Sequence, residues 1–141
     1  MKILVTGGAG YIGSNMVKFL IESNYEVDVI DNLSSGNIKN LDKKAKFHKI
    51  DLSDFNFLNN FFADNFFDVV MHFSSFIDVK ESYNNPGKYY KNNFINSFNL
   101  VSSMVNNKLN KIIFSSSASV YGHENSKPIK ESDYKRPISP Y

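Results

Sequence analysis

Cysteine is absent from the 141 residues, which excludes a disulfide framework and a thiolate metal site. Neither charge dominates: 16 Lys and Arg stand against 14 Asp and Glu, a formal net charge of +2. The basic residues are scattered among acids and asparagines, so nothing forms the basic stripe that a nucleic acid would require. No apolar run approaches the ~20 residues that cross a bilayer, and Met1 leads almost directly into an apolar segment, leaving no room for a signal peptide. The expectation is a cytoplasmic protein with no membrane partner. Proline is scarce too, and Pro128 and Pro137 fall in a polar stretch, residues 123–139, with Pro140 directly after it, where regular patterning fades. Glycine numbers only seven, yet four of these, Gly7, Gly8, Gly10 and Gly13, fall within the first thirteen residues.

That glycine cluster organises the chain. Ile3, Leu4 and Val5 form a short apolar run of the kind found in a strand buried on both faces of a parallel sheet. From Ser14 to Glu22, Met16, Val17, Leu20 and Ile21 mark one face of a helix. Between them, residues 8–13 read G-x-G-x-x-G, and Thr6, Gly7, Gly10 and Gly13 also fit T-G-x-x-G-x-x-G. Glycine there permits the tight turn out of the strand, lets backbone amides approach a diphosphate, and brings the helix close against the strand. The helix N-terminus then offers free N–H groups and partial positive charge to that anion. Eighteen residues beyond Gly13 stands Asp31, at the end of a second strand predicted over 26–30. A carboxylate at that spacing binds the adenosine ribose hydroxyls and repels a 2′-phosphate, which favours NAD over NADP.

The rest alternates strand with helix. A third strand is expected over 46–50, closing on Asp51 and Leu52, and then a helix capped by Ser53 or Asp54. Phe55, Leu58, Phe61, Phe62 and Phe66 mark that helix's core face. A fourth strand over 68–73 ends with His72, read as packed or backbone-bonded, with no catalytic role. A turn of helix near 79–83 and a long helix over 88–107 follow, the latter buried through Tyr90, Phe94, Phe98, Val101 and Val105. A fifth strand over 111–114 runs into Ser115, Ser116 and Ser117. This order predicts an α/β fold, a Rossmann-type doubly wound parallel sheet in three layers. Residues 1–141 would form one dinucleotide-binding domain, truncated at its C-terminal side. Ligands of such sheets bind at the C-terminal ends of the strands, where Gly7 to Gly13, Asp31, Asp51, Phe73 to Ser75 and Ser115 to Ser117 all fall.

The blocks T-G-G-A-G-Y-I-G at 6–13, D-N-L-S-S-G at 31–36, H-F-S-S-F-I-D-V-K-E-S at 72–82, Y-Y-K-N-N-F at 89–94, S-S-S-A-S-V-Y-G at 115–122 and S-P-Y at 139–141 together resemble the UDP-glucose 4-epimerases, extended short-chain dehydrogenase/reductases. The resemblance implies NAD as cofactor and a UDP-sugar as substrate. Gly7, Gly10, Tyr11, Ile12 and Gly13 would then hold the diphosphate; Asp31, Asn32, Leu33, Ser34, Ser35 and Gly36 the adenosine ribose; Asp51 and Leu52 the adenine. Phe73, Ser74, Ser75 and Ile77 would line the nicotinamide side, and Asn92 would position cofactor and sugar.

The same resemblance makes Ser117 and Tyr141 the catalytic and substrate-binding pair. Ser117 would hydrogen-bond the reacting hydroxyl and Tyr141 would serve as acid/base while the sugar passes through a 4-keto form. The family's lysine four residues after that tyrosine would stand at 145, beyond these residues, as would a second domain that grips UDP. A homodimer is implied for the full-length form. Alternatives are a UDP-glucuronate epimerase, a sugar-nucleotide 4,6-dehydratase or a non-catalytic nucleotide-binding fragment. A dehydratase needs an Asp-Glu pair just after the serine block, where this chain has Ala118 and Ser119. Ile77, where many members carry lysine, and the pair Ser74-Ser75 depart from the pattern.

Overall fold

A computed structural model describes residues 1–122 and 128–141. Of the polar stretch read as irregular, residues 123–127 lie outside the described residues. Strands β1 (Lys2–Thr6), β2 (Glu26–Asp31), β3 (Lys46–Lys49), β4 (Val69–His72) and β5 (Ile112–Phe114) pair in parallel. Their order is β3-β2-β1-β4-β5. The chain thus builds outward from β1 in both directions, and the order reverses between β1 and β4, the point where such sheets open a crevice.

Residues alternate between the two faces of each strand, and the cores follow that alternation. Ile3, Val5, Val27, Val29 and Met71 pack against Val17 and Leu20 of helix α1 (Tyr11–Glu22). Leu4, Ile30 and Val70 pack on the opposite face against Leu58, Phe61 and Phe62 of α2 (Phe55–Asp64) and Leu100 and Met104 of α5 (Asn96–Asn106). Three layers result, as the alternation of strand and helix predicts. Asp54 caps α2 by accepting the Phe57 N–H at 3.0 Å.

Several expectations are corrected. Helix α1 starts at Tyr11 rather than Ser14, so Gly13 lies inside it. The long helix is a continuous rod in three segments: α4 (Pro86–Tyr89), a π turn (Tyr90–Ile95) and α5, with the short α3 (Val79–Asn84) before it. Its predicted core face is the outer one. Tyr90, Phe94, Phe98, Val101 and Val105 are exposed, while Tyr89, Asn96, Leu100, Ser103 and Met104 are buried. The rod carries two apolar stripes, and periodicity cannot say which one meets the sheet. Phe55 and Phe66 of the predicted α2 face are likewise exposed, and Phe67 is buried instead. Among the described residues strand β5 pairs with β4 alone, and Ile112, Ile113 and Phe114 are all exposed.

Candidate functional site

A cleft of about 710 Å³ opens at the C-terminal ends of the strands. Its floor is the glycine loop. Gly7 turns the chain at φ +69°, and a Cβ there would sit 2.7 Å from the Phe73 carbonyl carbon and the Ser74 nitrogen. The β1 and β4 loops therefore touch through backbone alone. At Gly13 a Cβ would lie 2.2 Å from the Gly7 carbonyl oxygen, which is what allows α1 to begin so close to β1. Gly10 differs, since a Cβ there meets only the Gly7 oxygen, at 3.3 Å. Gly10 is also the extended N-cap of α1 and makes no side-chain cap hydrogen bond. The first amides of the helix are thus left for an anion, with Tyr11 and Ile12 exposed beside them.

On one side of the floor, Asp31 accepts the Ala9 N–H at 3.0 Å with one carboxylate oxygen and the Leu33 N–H at 2.8 Å with the other. The acid ties the glycine loop to its own turn, and each oxygen keeps a lone pair for a further donor. Asn32 donates to Asp51 at 2.9 Å. Burial pushes the Asp51 carboxyl up, but the hydrogen bonds from Asn32 and Ser53, with the charge of Lys91, outweigh it and leave the group below its usual range. Asn32, Ser34, Ser35 and Leu52 line this side. Leu33 and Gly36 do not: Leu33 takes φ +61° to bring its amide to Asp31, and Gly36 packs against Ala9.

The other side is built from Phe73, Ser74, Ser75 and Ile77 after β4, Asn92 on the π turn, and Ser117 and Tyr141. Ser117 accepts the Ser119 N–H at 3.1 Å, closing a short turn over Ala118–Tyr121. Glu81 and Tyr89, not singled out in the sequence, also line it. The Glu81 carboxylate takes Lys88 Nζ at 2.5 Å and the buried Tyr89 hydroxyl at 2.9 Å. Lys88 and Tyr89 hold that carboxyl below its usual range, while burial and Glu81 push the Tyr89 phenol up to about 12. Tyr89 is therefore a fixed donor, not an acid/base.

Of the two readings of His72, packed or backbone-bonded, the structure gives the packed one, with the ring held by side chains. Its ring lies buried between Thr6 Oγ1, at 2.6 Å from Nδ1, and Ser97 Oγ, at 2.8 Å from Nε2. Burial lowers its pKa to about 4, so it is neutral at physiological pH. Asn93, also missed, sits on the cleft wall with its amide against Phe76. A polar pair in an aromatic helix looks like a solvated face, and no sequence signal separates the two cases. Among the described residues no cluster of His, Asp and Glu could hold a metal, and no helix is long and apolar enough to cross a membrane.

Residues 3–141 match the model of the NAD dependent epimerase/dehydratase family. The chain belongs to that family. It is 42% identical over 141 residues to a UDP-glucose 4-epimerase of Lacticaseibacillus casei, all of this chain but 43% of that protein. Among solved structures, the UDP-glucose 4-epimerase of Thermotoga maritima with UDP-glucose matches at a TM-score of 0.93 and 39% identity, over 100% of this chain and 46% of that one. The enzyme from Brucella ovis in complex with NAD matches at 0.94 and 35%, over 99% and 43%. This epimerase/dehydratase-family chain spans less than half the length of these relatives.

Proposed function

We propose that residues 1–141 are the NAD-binding portion of an enzyme that interconverts UDP-hexoses at C4, UDP-glucose and UDP-galactose among them. The observation that carries the reading is a convergence. A glycine loop under an uncapped helix N-terminus, Asp31, Ser117 and Tyr141 all line one cleft at the point where the strand order reverses. The free first amides of α1 beside Gly10 suit a diphosphate. The spare lone pairs of Asp31 suit ribose hydroxyls. When bound, NAD would supply a hydride acceptor that returns the hydride within the same cycle.

The chain's own residues do the rest. Tyr141 takes the proton of the sugar hydroxyl and returns it to the same oxygen after the 4-keto sugar has turned over and regained the hydride on its other face, and Ser117 holds that hydroxyl in line. A phenol of reference pKa about 10 needs a neighbouring positive charge to serve near neutrality, and position 145 is where the resemblance expects it. The test is a complete enzyme containing these residues, assayed with UDP-galactose. UDP-glucose should form with no net NADH, and formation of a 4-keto-6-deoxy sugar would make the enzyme a dehydratase.

A further inference from the structure

The pairing of β1 with β4 sets Thr6 beside His72. Strand alternation turns both side chains to the sheet face that Leu4 and Val70 share with α5, where Ser97 meets them. Four groups then form a chain. Thr6 Oγ1 lies 2.6 Å from His72 Nδ1, His72 Nε2 lies 2.8 Å from Ser97 Oγ, and Ser97 Oγ donates to the Asn93 carbonyl at 2.8 Å.

For a neutral imidazole, one proton arrangement alone satisfies all three contacts. A carbonyl cannot donate, so the single hydroxyl proton of Ser97 goes to Asn93. Ser97 must therefore accept from Nε2–H, which leaves Nδ1 bare to accept the Thr6 proton. Thr6 and His72 are at most 1% exposed, so no water competes for these groups. The chain ends on a π turn, in which the Asn96 amide reaches back five residues to Lys91; such turns concentrate at functional positions. The side chain of Asn93 grips the next wall. Its Oδ1 accepts the Phe76 N–H and its Nδ2 donates to the Phe76 carbonyl, both at 2.9 Å.

We infer that His72 and Ser97 are positioning residues: they lock the π turn to the end of β1, so that Asn93 holds the loop Phe73–Ile77 at a fixed distance from the glycine loop. The inference rests on the dinucleotide reading of the cleft. The strand order puts Asp31 and Asp51 on the β2–β3 side and the locked loop on the β4–β5 side. The lock thus acts on the half of the cleft remote from the adenosine end.

That asymmetry supplies the test, made by calorimetric titration of the 141-residue chain with NAD and, separately, with ADP. Ser97→Ala should weaken NAD by about tenfold and ADP by less than about twofold, the size expected of lost positioning. Ser97→Thr, which keeps the hydroxyl, should restore NAD affinity. His72→Gln should behave as Ser97→Ala, and if it fails to fold the serine pair decides alone. In the wild-type chain, nitrogen NMR of the His72 ring should show the Nε2–H tautomer at neutral pH. Unchanged NAD affinity in Ser97→Ala, an equal loss for both nucleotides, or the Nδ1–H tautomer would overturn the inference. A wild-type chain that binds neither nucleotide would overturn the dinucleotide reading first, and this inference with it.

Discussion

Asp31 shows how one side chain serves structure and recognition together. Both of its oxygens already accept backbone amides, from Ala9 and Leu33, so the carboxylate is aimed before any ligand arrives. A 2′-phosphate brought against it would place two anions together in a largely desolvated corner. NAD should therefore bind roughly ten- to a hundredfold more tightly than NADP. Asp31→Asn should shrink that ratio by about tenfold, and titration with both cofactors measures it. Equal or tighter NADP binding by the wild type would remove the ribose role.

Gly13 makes a steric case of the same kind. A methyl group 2.2 Å from the Gly7 oxygen must push α1 off β1, at a cost of about 1–3 kcal/mol. Gly13→Ala should lower the unfolding midpoint and abolish NAD binding, whereas Gly10→Ala, with its 3.3 Å contact, should leave the fold intact. In the complete enzyme Tyr141→Phe should lower kcat by more than about 100-fold with little change in sugar affinity. Near-normal turnover would reassign the acid/base.

At the scale of elements, β4 carries a pH dependence into the fold. His72 titrates near 4 in the folded chain and near 6.5 when unfolded, so between those values the unfolded chain binds the extra proton. Stability is fully present above 6.5 and falls as pH drops towards 4, by up to about 3 kcal/mol. His72→Gln should be less stable at pH 7 but lose less between pH 6.5 and 4.5. Parallel pH profiles of thermal unfolding for the two chains would refute the assignment. The rod from Pro86 to Asn106 shows the same dependence on context. Asn99 donates to the Leu52 carbonyl at 3.0 Å and Asn107 to the Asn59 carbonyl at 3.2 Å, so asparagines that look like surface residues stitch the rod and its C-terminal cap to the loop after β3 and to the middle of α2.

At the scale of the whole molecule, the exposed apolar side chains of the described residues include the outer stripe of the rod, at Phe94, Phe98, Val101 and Val105, and all of strand β5. An open parallel edge with three apolar residues invites pairing with another chain. A polypeptide of these 141 residues should therefore associate as its concentration rises, and Ile113→Lys, placing a charge on that edge, should shift it towards monomer in analytical ultracentrifugation. The same polypeptide should be silent with NAD and UDP-galactose. It spans less than half the length of the epimerases it matches, so most of the contacts to a UDP-sugar would have to come from outside it. Turnover at enzyme-like rates would refute this account.

What the residues alone determined was whatever depends on local spacing. The glycine loop, the distance from Gly13 to Asp31, the strand–helix alternation and the position of each strand end are short-range properties, and they place the cleft and most of its lining. Leu33 and Gly36 belong to the right turn, but their role is to shape it, because backbone contacts to Asp31 and Ala9 take precedence over exposure. Tertiary structure decided which face of each element is inside. Phe94 and Phe98 repeat as regularly as Leu100 and Met104, yet only the second pair meets the sheet, since the π turn and the packing of α5 on α2 choose between two equivalent stripes. It alone also made the line from Thr6 through His72 and Ser97 to Asn93, because residues so far apart in the chain share a hydrogen-bond network only when strand pairing and helix packing bring their polar groups together.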